Sequence, residues 1–153
     1  MKTSKPIKIA LAVLLLVTAL AATVYLLGRD KVPENSIAVD YNGKTHYADL
    51  QGIVLTEIHG ERVNGKGEVK PVDGMGFSLH TLLTVTIGKD FTCESVTATA
   101  ADGFSAEVSM EELQEDNKAV LLLDEESGTM QLIVFGDSDS KRSVKEIERL
   151  TLN

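Results

Sequence analysis

The sequence has one cysteine, Cys93, in 153 residues, so no disulfide can form within the chain and a disulfide-stapled framework is excluded. The simplest role for Cys93 is as a small buried residue within a strand; a reactive thiol and a disulfide to another chain are the alternatives. The chain is also short of basic residues, with 15 Lys and Arg against 23 Asp and Glu and a net charge of −8. Nucleic-acid binding needs clustered cations to neutralise phosphates, so no nucleic-acid partner is expected. There are three histidines, His46, His59 and His80, and they show neither H-x-x-H nor H-E-x-x-H spacing, so no metal site is expected. No Gly-x-Ser-x-Gly elbow exists to activate a serine. Gly65-x-Gly67 lacks the strand-to-helix context of a phosphate cradle. Asp137-Ser138-Asp139-Ser140 alternates oxygen ligands but lacks the Gly and distal Glu of an EF-hand loop. Asp124-Glu125-Glu126 runs into Ser127-Gly128 and reads as a solvated turn. No catalytic residue is nominated.

What is present begins with a hydrophobic run. Lys2, Lys5 and Lys8 precede Ile9–Leu27, which carries no charge and only Thr18, Thr23 and Tyr25 as polar groups. About 20 apolar residues span a bilayer, and lysines before the span hold the tail in the cytoplasm. The pattern predicts a signal-anchor transmembrane helix over residues 1–28, a linker over 29–35 and an extracytoplasmic domain over 36–153. Ala19-Leu20-Ala21 has the small-x-small form of a cleavage site, and cleavage there would make the domain secreted.

After the linker, period-two alternation predicts strands. Ile37, Val39 and Tyr41 alternate, and Asn42-Gly43 marks a hairpin turn into Lys44–Ala48. Gln51–Ile58 is another strand candidate. His59–Gly76 holds five glycines and a proline and reads as loops or an irregular hairpin. Leu79, Leu82 and Leu83 follow helical spacing with Ser78 as N-cap. Phe91–Ala100 and Phe104–Val108 form a hairpin about a two-residue Asp102-Gly103 turn. Ser109-Met110-Glu111-Glu112 then has the form of a capping box, clamped by Val108 and Leu113, opening a helix over Met110–Asp116. Ala119–Leu123 and Met130–Phe135 read as strands buried on both faces, and Glu148–Leu152 as a closing strand. The sum is a strand-rich α+β domain, a mixed or barrel-like sheet with two short helices.

From Gly76 onward the order of motifs resembles the oxidoreductase molybdopterin-binding domain, the sulfite-oxidase-like fold. Gly76-Phe77-Ser78-Leu79-His80-Thr81-Leu82-Leu83 is similar to that family's Gly-Val-Pro-Leu-x-x-Leu-Leu helix start. Ala101-Asp102-Gly103-Phe104 resembles its Ser/Ala-Asp-Gly-Tyr hairpin, and Gly128–Gly136 its Gly-Pro-Leu-Arg-Leu-Val-Val-Pro-Gly strand. Lys141-Arg142-Ser143-Val144-Lys145 is similar to its Lys-x-x-Lys closing element. The resemblance implies a pterin-phosphate or other anion site at Lys141, Arg142 and Lys145. The family's molybdenum-ligating cysteine lies upstream of the helix, where Gly60–Gly76 has none, and Glu146 stands where an aromatic residue is usual.

The resemblance therefore implies a scaffold without its metal centre, and no cofactor is predicted. The expected function is a membrane-anchored extracytoplasmic binding or interaction module. Its partner would be a protein in a membrane or surface complex, with the Gly60–Gly76 loop as a partner site. The alternative is a redox protein retaining molybdopterin or another group near Lys141–Lys145. A small-molecule or peptide sensor is a third class.

Overall fold

Four consecutive side chains in the middle of the chain, Ala119, Val120, Leu121 and Leu122, are all buried, and the architecture follows from how both faces of that strand are covered. The computed structural model describes residues 5–27 and 31–153, in two compact units, 1–31 and 32–153. Residues 1–4 and 28 of the expected anchor segment, Lys2 among them, and residues 29 and 30 of the expected linker lie outside the described residues.

The first unit holds α1 (Lys5–Leu27). Its Thr18 and Thr23 hydroxyls donate back to carbonyls one turn earlier. Among the described residues no helix is long and apolar enough to cross a membrane. The expected signal-anchor helix, and with it the single-pass placement of the following domain, is thereby overturned.

The second unit is strand-rich α+β, with two sheets in place of the expected single mixed or barrel-like one. Sheet A contains β1 (Ser36–Tyr41), β2 (Lys44–Asp49), β5 (Ser95–Ala100), β6 (Ser105–Ser109) and β9 (Ile147–Leu152), in the order β2-β1-β9-β5-β6. β1 and β9 run parallel and the other pairs antiparallel. Sheet B is antiparallel, in the order β3-β4-β7-β8, from β3 (Thr56–Val63), β4 (Val69–Ser78), β7 (Ala119–Asp124) and β8 (Thr129–Val134). This unit also carries two short α-helices, α2 (Leu79–Ile87) and α3 (Met110–Gln114).

Local chemistry accounts for most boundaries. Asn42 and Gly43 both take positive φ (50° and 73°) between paired Tyr41 and Lys44, a type I′ turn. The second hairpin corrects the two-residue expectation. Ala100 N–H donates to the Phe104 carbonyl, so its loop is Ala101-Asp102-Gly103, with Gly103 at φ 89°. The strand expected from Gln51 starts later, at Thr56, because Asp49 caps a 3₁₀ turn over Leu50–Gly52. Cys93 lies just before β5 rather than within it. Ser78 caps α2, and Leu79, Leu82 and Leu83 are fully buried, worth about 2 kcal/mol each. α3 is a single turn that propensity alone would not hold; the capping box forms, with Ser109 Oγ accepting from Glu112 N–H and the Glu112 carboxylate accepting from Ser109 N–H.

Alternation along β7 and β8 divides the core. Ala119, Leu121, Met130, Leu132 and Val134 join the main cluster with residues of sheet A and the two helices of this unit. Val120, Leu122 and Ile133 point the other way, where Ile58, Val72 and Phe135 cover them. Of the two readings of the glycine-rich stretch, the hairpin is the one that forms, as the long antiparallel β3–β4 pair. Its glycines permit close approach: a Cβ on Gly60 would sit 2.5 Å from the Phe135 ring, and one on Gly76 would strike the Leu121 carbonyl.

Candidate anion-binding cleft

The same alternation that fills the outer face of sheet B carries polar side chains to its rim. On β3, Ile58, Gly60 and Arg62 share a face, and Ile58 belongs to the outer cluster. Along β8 and the residue that follows it, Gln131, Ile133 and Phe135 share a face, with Ile133 buried in that cluster. Val144 pairs with Leu132 through N–H···O bonds of 2.8 and 3.2 Å, and both side chains are fully buried in the main core. Ser143 and Lys145, flanking Val144, are consequently turned outward beside Gln131.

The hairpin tip above is a closed turn. Asn64 Oδ1 accepts from Lys66 N–H at 2.9 Å and Glu68 N–H at 3.0 Å, and Gly67 takes φ 79°. Below it, the loop from Gly136 to Glu146 is fixed by Arg142. Its Nε donates to Asp137 Oδ2 at 2.8 Å, while Nη1 and Nη2 donate to the two Glu112 oxygens at 2.7 and 2.8 Å. Nη1 also reaches the Glu107 carbonyl at 3.3 Å. Arg142 holds the Glu112 carboxyl down to about 2, with the Ser109 N–H contributing, and the two carboxylates push the guanidinium further up.

Between tip and loop lies a cleft of about 240 Å³ that brings together Arg62, Gln131, Ser140, Ser143 and Lys145. Among the described residues, neither Arg62 nor Lys145 forms an ion pair, and no aspartate or glutamate lines the wall. Gln131 Nε2 is buried without a partner, a state that costs about 1–3 kcal/mol. A guanidinium and an ammonium only donate, and two hydroxyls and an amide N–H add to them. This is a donor set waiting for an acceptor. Two larger clefts, of about 360 and 420 Å³, are rimmed by carboxylates (Glu34, Glu146 and Glu148; Glu115 and Asp116) and contain no lysine or arginine.

Of the three cations singled out in the sequence, only Lys145 lines this cleft. Arg142 is engaged by Glu112 and Asp137, and exposed Lys141 pairs with Asp139 at 3.2 Å. Arg62, Gln131, Ser140 and Ser143 escaped the sequence reading. The available signal was Gln131, the one polar residue in the Met130–Phe135 run. The histidines are not brought together as a metal site, and no group of three or more metal-ligating side chains occurs among the described residues. His59 Nδ1 lies 2.6 Å from Asp73, and His80 rests against the Phe91 ring. Asp124 accepts from the N–H groups of its own turn.

The residues present do not fit a molybdenum–pterin group. The β3–β4 hairpin supplies no cysteine. Cys93 packs with Sγ 3.8 Å from Met110 Sδ, and burial pushes its thiol up, away from the thiolate a metal requires. A cleft of about 240 Å³ is also below the roughly 300–1,000 Å³ of sites that enclose a ligand of that size. No protein-family model matches this chain, and no curated protein matches it either.

Proposed function

We propose that the chain is a binding module whose ligand presents a small anionic group to the cleft between the β3–β4 tip and the Gly136–Glu146 loop. One observation carries this reading. Arg62 and Lys145 converge on a wall without carboxylates, in a chain of net charge −8. Two unpaired cations held together repel one another, and an anion between them relieves that repulsion. The buried Gln131 amide gains its missing acceptor at the same time.

Titration calorimetry of the full chain with inorganic phosphate at low ionic strength tests the proposal. Arg62→Ala and Lys145→Ala should each weaken binding by about tenfold or more, the range of a charge-assisted hydrogen bond. Lys141→Ala, whose partner is Asp139 outside the cleft, should leave it unchanged. Equal loss in all three variants would show a diffuse charge effect and no site.

A further inference from the structure

The anion-binding reading leaves the kind of anion open, and the lining narrows it. We infer that the cleft takes a dianionic, tetrahedral phosphate-type group, with Gln131 as its specificity-determining donor. The inference rests on the anion-binding reading above and adds charge and shape to it. Arg62 and Lys145 bring two positive charges, and no carboxylate in the wall cancels either. The donors arrive from three separate segments: Arg62 from β3, Gln131 from β8, and Lys145 with two serines from the closing loop. Three directions of donation match the three terminal oxygens of a phosphate monoester. A carboxylate or a phosphodiester offers only two. The buried Nε2 of Gln131 is the donor such a ligand leaves unmatched.

The test compares methyl phosphate, inorganic phosphate, dimethyl phosphate and acetate on the full chain at pH 7.5 and low salt. Methyl phosphate should bind at least about tenfold more tightly than dimethyl phosphate or acetate, the value of one charge-assisted contact. Gln131→Met removes the unpartnered amide at similar length, so its thermal melting should match or exceed the parent's. It should weaken methyl phosphate binding about fivefold or more while leaving dimethyl phosphate unchanged. Tighter binding of methyl than of inorganic phosphate supports an ester as the source, and the reverse order supports the free ion. Equal affinity for monoanions and dianions, all lost in Arg62→Ala, would overturn the dianion inference and leave the anion site standing. No binding of any of the four would overturn the site as well.

Discussion

Arg142 and Glu112 meet arm to arm, Nη1 at 2.7 Å from Oε2 and Nη2 at 2.8 Å from Oε1. Glu112 is also the capping-box acid of α3, so one carboxylate starts a helix and anchors the loop that carries Ser140, Ser143 and Lys145. A planar fork makes this pairing in a way lysine cannot. Arg142→Lys should therefore cost about 1–2 kcal/mol in urea denaturation and weaken phosphate binding, although Arg142 does not line the cleft.

The same pair sets an acid dependence. The Glu112 carboxyl is held down to about 2 in the folded chain, against about 4.3 when unfolded. The unfolded state binds the proton first, so this stabilisation is fully present above the unfolded value and is lost as pH falls toward 2. Unfolding free energies from urea denaturation between pH 5 and 2.5 should fall for the parent by an amount on the order of 2 kcal/mol from this group. Glu112→Gln should lower stability at neutral pH and flatten that slope. An equally steep slope in Glu112→Gln would assign the acid sensitivity to other carboxylates.

Two glycines should differ in cost although both sit on β strands. A Cβ at Gly76 meets backbone, the Leu121 carbonyl, which pairing with β4 prevents from retreating. A Cβ at Gly60 meets the outer edge of the Phe135 ring, which can rotate at the expense of packing. Gly76→Ala should destabilise by about 3 kcal/mol or more and Gly60→Ala by about 1–2 kcal/mol. The reverse order in urea unfolding would contradict the close approach of β4 to β7.

His59 should titrate above its ordinary value. Its hydrogen bond to Asp73 favours the imidazolium, and Glu57 adds to the effect. Because the folded value is raised, the contribution to stability is present below about pH 6.5 and lost as pH rises through the folded value. The His59 ring resonances in NMR should move to a lower midpoint in Asp73→Asn. An unchanged midpoint would mean that the contact is not populated in solution.

What the sequence disclosed follows the range of the interactions involved. The Asn42-Gly43 turn, the Ser78 cap and the Ser109–Glu112 box each depend on residues within three or four positions, and all three form. The two-sheet arrangement depends on pairings far apart in sequence, such as Ala38 with Arg149, which no local period encodes. The glycines of His59–Gly76 read as loop signals, whereas those at 60 and 76 serve close packing between strands. The cleft was half legible. Lys145 stands in a conspicuous basic run, but its neighbour Arg142 is structural, and Arg62 arrives from a hairpin whose fold-over depends on Ile58, Val72 and Phe135. Gln131 carried a local signal: a lone amide in an apolar run must be buried, exposed or matched by a partner.

The most direct measurement of the central claim is the side-chain amide resonance of Gln131 in ¹⁵N-labelled full chain, followed as methyl phosphate is added. The account predicts a saturable shift of that resonance together with the backbone amides of Arg62, Ser143 and Lys145, absent in Arg62→Ala. A Gln131 amide that stays fixed while methyl phosphate saturates another surface would contradict it.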